Sequence, residues 1–315
     1  MENTTMENTR TKTTRNSLIL LLTAAIWGMA FVSQSKGMDY MHPFTFNGVR
    51  SLIGAASILV YSLISRKIAG DKAAPLDWKL NVKAGLLCGI FLTIASTLQQ
   101  FGIKYTSVGK AGFITTLYII FVPMFGIFLK KKVAPVVWAA AVMAAVGMYL
   151  LCMTESLRLG AGDIMVFLCA IAFAIQIMTV DHYAARIDGA VVSCIQFTVC
   201  GVVCCIGALI WGQPTFGQLQ EGLGALLYAG VLSCGVGYIL QIVGQKGLNP
   251  TVAALIMSLE SVIATISGWI AYKIGFLTTD QTLTARQIAG CVIVFAAVIL
   301  VQLPPEWFRF GKKNA

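Results

Sequence analysis

The chain has 315 residues, of which 57% are hydrophobic and only 11% charged, and its mean hydropathy is +0.80. A soluble domain carries about a quarter charged residues, so this composition excludes a water-soluble globule. The formal net charge of +10 does not point to nucleic acid, because the basic residues are sorted between loops instead of gathered into a patch.

A membrane-crossing helix needs about 20 mostly apolar residues. Residues 1–15 are polar and are expected to form a disordered cytoplasmic tail. Ten apolar runs follow: Ser17–Ser35, Pro43–Ser65, Val82–Phe101, Val108–Leu129, Val133–Met153, Asp163–Tyr183, Ala190–Trp211, Leu219–Val243, Thr251–Lys273 and Arg286–Leu303. The first contains no small-residue cleavage site and is read as a retained anchor. A second cytoplasmic tail is expected over 304–315. Placing the N-terminus in the cytoplasm puts sixteen Lys and Arg inside, among them Arg66, Lys67, Lys130, Lys131 and Lys132. Six fall outside: Lys36, Lys104, Lys110, Arg158, Lys273 and Arg286. This positive-inside bias predicts that both termini are cytoplasmic. The fold class is therefore an all-α integral membrane protein with ten transmembrane helices.

A pattern near Gln99 returns 142 positions later. Gln99 matches Gln241, Gly102 matches Gly244, Lys104 matches Lys246, Ala111 matches Ala253, Leu117 matches Leu259 and Gly126 matches Gly268. The offset runs through two consecutive apolar segments without a gap, so the chain reads as two copies of a five-helix unit, 16–153 and 161–303. Five is odd, so the second copy enters the membrane from the opposite side. Inverted halves of this kind build a central site that opens to either side in many secondary transporters.

Ionisable groups at membrane depth are costly and therefore mark functional candidates. Glu260 lies near the middle of the ninth run, and Arg50 lies in the outer half of the second. Three roles are open to Glu260: holding a substrate ammonium, carrying a coupling proton, or balancing Arg50 in a fixed pair. Arg50 could also extend outward to the membrane surface. Tyr118 is the repeat counterpart of Glu260, so a site between the halves is chemically asymmetric. Other runs carry polar residues at helical spacing: Asn47, Arg50, Gly54 and Ser57; Ser96 and Gln99; Cys234, Gly237, Tyr238, Gln241 and Gln245; Gln176 and Thr179; Trp27 and Gln34. Lipid penalises such faces, so they are expected to turn inward around one cavity. The fifth and tenth runs offer no ionisable residue at depth and are expected at the periphery, against lipid or a second subunit.

The nine cysteines form no CxxC pair, and His42 and His182 are too far apart for a local metal motif. No phosphate loop, nucleophile elbow or paired-carboxylate arrangement occurs. No enzyme activity, cofactor or metal is expected. Any uphill movement of solute must then draw on an ion or exchange gradient.

The chain resembles the EamA-type permeases of the drug/metabolite transporter superfamily along nearly its whole length. The likeness rests on Trp27-Gly28, on Pro43 followed by Arg50, on Tyr105–Ala111 leading to Pro123, on Gly162-Asp163, and on Leu259-Glu260-Ser261-Val262. The last resembles the family's Leu-Glu-Pro-Val element with Ser261 in place of Pro, so the resemblance does not carry over a helix break beside Glu260. It implies a bacterial inner-membrane permease that exports amino acids or other small metabolites, with a cavity formed by helices one to four and six to nine. Trp27, Arg50, Gln99, Tyr118, Gln176, Tyr238, Gln241 and Glu260 are the residues expected to line it. The expected partners are a small-molecule substrate and the lipid bilayer, without nucleic acid, in a monomer or homodimer. Efflux of lipophilic cations is the alternative, suited to a lone buried carboxylate; the small multidrug transporters, however, place their acid in the first span, which has none here.

Overall fold

The computed structural model describes residues 2–70, 75–129, 133–152, 160–278 and 281–302. These residues form helices and short connections, with no strand among them. The helices are α1 (Glu2–Gly37), α2 (Pro43–Ala69), α3 (Trp78–Ile103), α4 (Val108–Thr116), α5 (Tyr118–Phe128), α6 (Pro135–Cys152), α7 (Ala161–Tyr183) and α8 (Gly189–Gly207). They continue as α9 (Phe216–Glu221), α10 (Leu223–Leu227), α11 (Tyr238–Gln245), α12 (Pro250–Met257), α13 (Glu260–Lys273) and α14 (Ala285–Gln302). Two π-helical stretches, Ala208–Gly212 and Tyr228–Gly237, extend α8 and join α10 to α11.

Among the described residues, eight segments are long and apolar enough to cross a membrane: Thr13–Gly37, Pro43–Ala69, Trp78–Ile103, Val108–Phe128, Ala161–Tyr183, Gly189–Gly212, Leu223–Gln245 and Pro250–Lys273. The fifth and tenth expected spans correspond to shorter apolar helices, Pro135–Gly147 and Ala285–Leu300. In place of the expected disordered N-terminal tail, α1 begins at Glu2. No Gly precedes Gly28 and no Pro precedes Pro43. A helix nucleated in the apolar run therefore extends backward unhindered, a step much easier than nucleation. The expected tail at 304–315 lies outside the described residues.

The helix starts follow from their caps. His42 accepts from the Phe44 N–H ahead of Pro43, Asp77 caps α3, Ser107 caps α4, Asp188 caps α8, and Asn249 caps α12 ahead of Pro250. Each cap side chain satisfies an N–H that the helix itself leaves orphaned. Ser107 and Asn249 stand 142 residues apart, in the register of the sequence repeat.

Elements of the first half pack chiefly on elements of the second. Helix α2 lies along α8, α3 along α7 and α8, α1 along α11, α12 and α13, and α6 along α14. Glycines set the closest of these approaches. A Cβ on Gly102 would meet the Val166 side chain and the Gly162 carbonyl at 2.8 Å, while one on its counterpart Gly244 would meet Leu20 Cγ at 2.8 Å. Gly85 and Gly89, spaced as a close-packing pair, face Ile195 and Val199 of α8. The fifth-span and tenth-span helices carry exposed Val142, Val146, Ile288, Val292, Phe295 and Ile299, as the periphery requires.

Candidate functional site

Two spans break at matching positions. Helix α4 ends at Thr116 and α5 begins at Tyr118; α12 ends at Met257 and α13 begins at Glu260. The hydroxyl of Thr116 donates to Phe113 O at 2.9 Å, drawing that carbonyl into a local bond. In the ninth span Ser258 donates to Leu255 O at 2.7 Å and Ser261 to Ser258 O at 2.8 Å. Such back-bonding competes with the helical ladder, so the break stands with Ser261 where the resemblance has Pro. Tyr118 and Glu260 each become the first residue of a half-helix, and Tyr118 Oη donates to Glu260 Oε1 at 3.0 Å. The bond joins the two repeat counterparts, 142 residues apart.

Glu260 opens onto a central cavity, part of whose space is continuous with the surroundings. All eight residues singled out from sequence, Trp27, Arg50, Gln99, Tyr118, Gln176, Tyr238, Gln241 and Glu260, line it. Gln34, Asn47, Ser96 and Cys234, which lay on the expected polar faces, do too. Neither α6 nor α14 contributes a lining residue.

Arg50 is only 5% exposed and does not extend to the surface. Its Nε donates to Asn47 Oδ1 at 3.1 Å, and its guanidinium lies 5.5 Å from the Phe46 ring centre. Among the described residues no ion pair joins Arg50 to Glu260. The fixed-pair role considered for them is absent from this conformation. The cavity therefore holds one basic and one acidic side chain that do not pair with each other by contact.

A ring of side chains supports these two. Asn47 Nδ2 lies 3.1 Å from Ser96 Oγ and 3.2 Å from Cys204 Sγ, so Asn47 links α2 to α3 and α8. Gln99 Nε2 donates to Thr115 Oγ1 at 3.2 Å. Gln241 Nε2 donates to Gln176 Oε1 at 3.4 Å. Trp27 Nε1 donates to Ser233 O at 3.3 Å, a carbonyl within the ten-residue π stretch. A Cβ on Gly237 would lie 2.6 Å from Trp27 Nε1, so this glycine makes room for the indole. The Trp27 and Tyr238 rings lie 4.7 Å apart, and Phe197 meets Tyr238 edge-on, also at 4.7 Å.

Sequence reasoning missed the apolar wall. Phe31, Leu92, Phe173, Ile177 and Phe197 line the cavity, yet in an apolar span they read like any lipid-facing residue. The expected inward face was too broad elsewhere. Thr179 and Ser57 donate to carbonyls of their own helices, Ile175 O and Ile53 O, and neither lines the cavity. The described cysteines are free, and no cluster of three or more His, Cys, Asp or Glu occurs among the described residues.

These features define a class: a polytopic helical membrane protein with a central cavity that sets Arg50, Glu260 and several amide side chains against an apolar wall. The EamA-like transporter family matches residues 15–153 and 160–303, and the chain belongs to that family. It is 28% identical over 290 residues to an uncharacterized transporter of Archaeoglobus fulgidus, covering 90% of this chain and 84% of that one. It is 23% identical to an uncharacterized transporter of Clostridium kluyveri, covering 90% and 91%. It is 24% identical to the uncharacterized transporter YwfM of Bacillus subtilis, covering 92% and 94%. A solved crystal structure shares the fold with a TM-score of 0.71 at 16% identity, covering 92% of this chain and 98% of that one.

Proposed function

We propose that this protein is a secondary transporter that exports a small zwitterionic metabolite, with amino acids the first candidates, across a bacterial inner membrane. It works by alternating access between two inverted five-helix halves, 16–153 and 161–303, with both termini cytoplasmic. The carrying observation is the coexistence of Arg50 and Glu260 in one cavity without a bond between them. Arg50 offers a donor fork for a carboxylate, and Glu260 with Tyr118 offers acceptors for an ammonium. Separate, unneutralised charges favour a substrate that brings both signs. The 142-residue register of caps, helix breaks and close-packed glycines supports two related halves.

A second reading, efflux of lipophilic cations, is favoured by the aromatic group Trp27, Tyr238 and Phe197 beside Glu260, since ring faces attract cations. The buried Arg50 weighs against it, because a like charge in the same cavity repels that substrate.

The test is counterflow in proteoliposomes with labelled amino acids and organic cations, with Glu260→Gln in parallel. Saturable exchange of an amino acid that falls in the variant supports the first reading. Movement of cations alone would promote the second. Normal exchange by Glu260→Gln across pH would remove Glu260 from the mechanism.

A further inference from the structure

Beside the cavity runs a buried polar column that is not fully satisfied. Gln176 accepts from Gln241, and its Nε2 donates to Gln196 Oε1 at 3.5 Å. Gln245 follows Gln241 by one helical turn and Ser193 precedes Gln196 by one, so each continues the same face away from the cavity centre. Ser193, Gln196, Gln241 and Gln245 are each at most 2% exposed. Yet Ser193 Oγ, Gln196 Nε2, Gln241 Oε1 and both amide atoms of Gln245 have no hydrogen-bond partner among the described residues. Buried polar groups in native proteins are nearly always satisfied, so a run of bare ones implies an occupant.

The column leads toward a sealed end. An apolar cluster that includes Ala84, Cys88, Val180, Tyr183, Val192 and Ile242 fills that end. Across it Arg66 Nη2 pairs with Asp188 Oδ2 at 2.9 Å. The Asp188 N–H donates to Asn81 Oδ1 at 2.9 Å, and Asn81 in turn donates to Asp77 O. The end of α2 is thereby tied to the starts of α3 and α8. At the other end the cavity reaches Gln34 and Asn47, each within about one turn of its helix end.

We propose that Ser193, Gln196, Gln241 and Gln245 line the closed half of the permeation path, and that the Arg66–Asp188–Asn81 contact is the latch that holds it closed. Separating α2 from the start of α8 admits water and a small polar solute to the bare amides. The same residues then replace the cavity's opposite mouth as the opening, on the cytoplasmic side from which an exported solute enters. This rests on the alternating-access reading above.

Arg66 is the side of the latch to change, because Asp188 Oδ1 also accepts from the Ala190 and Val191 N–H groups and caps α8. Ser193→Cys is made in the full-length protein with and without Arg66→Ala. Both are treated with N-ethylmaleimide in detergent, without substrate, and alkylation at position 193 is read by peptide mass spectrometry, apart from the native cysteines. Slow alkylation is expected with the latch intact, rising about tenfold or more once it is removed, as a minor open state gains population. Arg66→Lys, which keeps the charge, should stay slow, and Arg66→Gln repeats the test should the Ala variant not purify. Equal rates with and without the latch, or fast alkylation with it intact, would overturn the proposal. Since no substrate is used, failure of the transport reading leaves this result separately legible.

Discussion

Tyr118 and Glu260 occupy one register of the two sequence repeats, and each opens a half-helix at the cavity. The Tyr118 hydroxyl is the hydrogen-bond donor to Glu260. Replacing it with Phe should cost about 1–3 kcal/mol, the loss on leaving a buried polar group bare. Thermal unfolding in detergent should show this as a lowered midpoint; an unchanged midpoint would mean that the carboxyl group finds another partner at no cost. Loss of the Glu260 charge should weaken solute binding on the order of ten- to a hundredfold if it holds an ammonium, the range for hydrogen bonds to charged groups. Calorimetric titration of Glu260→Gln with the exchanged solute measures it. At this scale Glu260 and Arg50 were legible in the sequence, because an ionisable side chain in an apolar run has few tolerable places to be. Phe173 and Phe197 were not. An aromatic residue is at home against lipid and against a cavity alike.

Helices are held at short range where glycine removes the Cβ. Gly102→Val would drive a branched side chain into Val166 and the Gly162 backbone. Overpacking of this kind costs about 1–3 kcal/mol. Gly224 in α10 has nothing within 4 Å of a Cβ position and is exposed, so Gly224→Ala should be neutral or stabilise by about 0.5–1 kcal/mol. In parallel melts the midpoint should fall for Gly102→Val and hold or rise for Gly224→Ala; a common fall would sink the packing argument. Ser261→Pro makes a different point. Ser261 is the second residue of α13, inside the first turn where proline is tolerated. The substitution forfeits the bond from the Ser261 N–H to Ser258 O, so its expected cost is about 1 kcal/mol; severe unfolding would show that the break depends on the serine. The apolar runs were readable as spans because length and composition are local properties. The π stretch Tyr228–Gly237 was not, since its widening is matched to Trp27, Ile53 and Arg50 on other helices.

The two halves are joined across the molecule by Asp163, which accepts from Lys110 Nζ at 2.6 Å, Thr106 Oγ1 at 2.8 Å and the Gly160 N–H at 2.8 Å. It is 4% exposed. Asp163→Asn removes the charge that the part-buried Lys110 pairs with, and weakening a hydrogen bond between charged groups in this way costs about 1.5–3 kcal/mol. A double-mutant cycle with Lys110→Ala isolates the pair, and strict additivity of the two changes would show that they act independently. Topology can be checked at the same scale. A fluorescent-protein fusion at the C-terminus should glow in the cytoplasm, while alkaline phosphatase inserted between 153 and 160 should be active outside; the reverse pattern would invert the proposed orientation.

The sequence by itself determined the solvent, the apolar segments, the 142-residue repeat and the residues carrying charge at depth. Each of these is written in local composition or spacing, and the lipid environment leaves such residues little choice of side. Only the tertiary structure decided that Arg50 turns to Asn47 and not to Glu260, that Tyr118 meets its own counterpart, and that Thr179 and Ser57 stay out of the cavity lining. Those outcomes depend on which helix lies beside which and at what rotation. That rotation is set by complementary small and large side chains from opposite halves of the chain, which no local window contains.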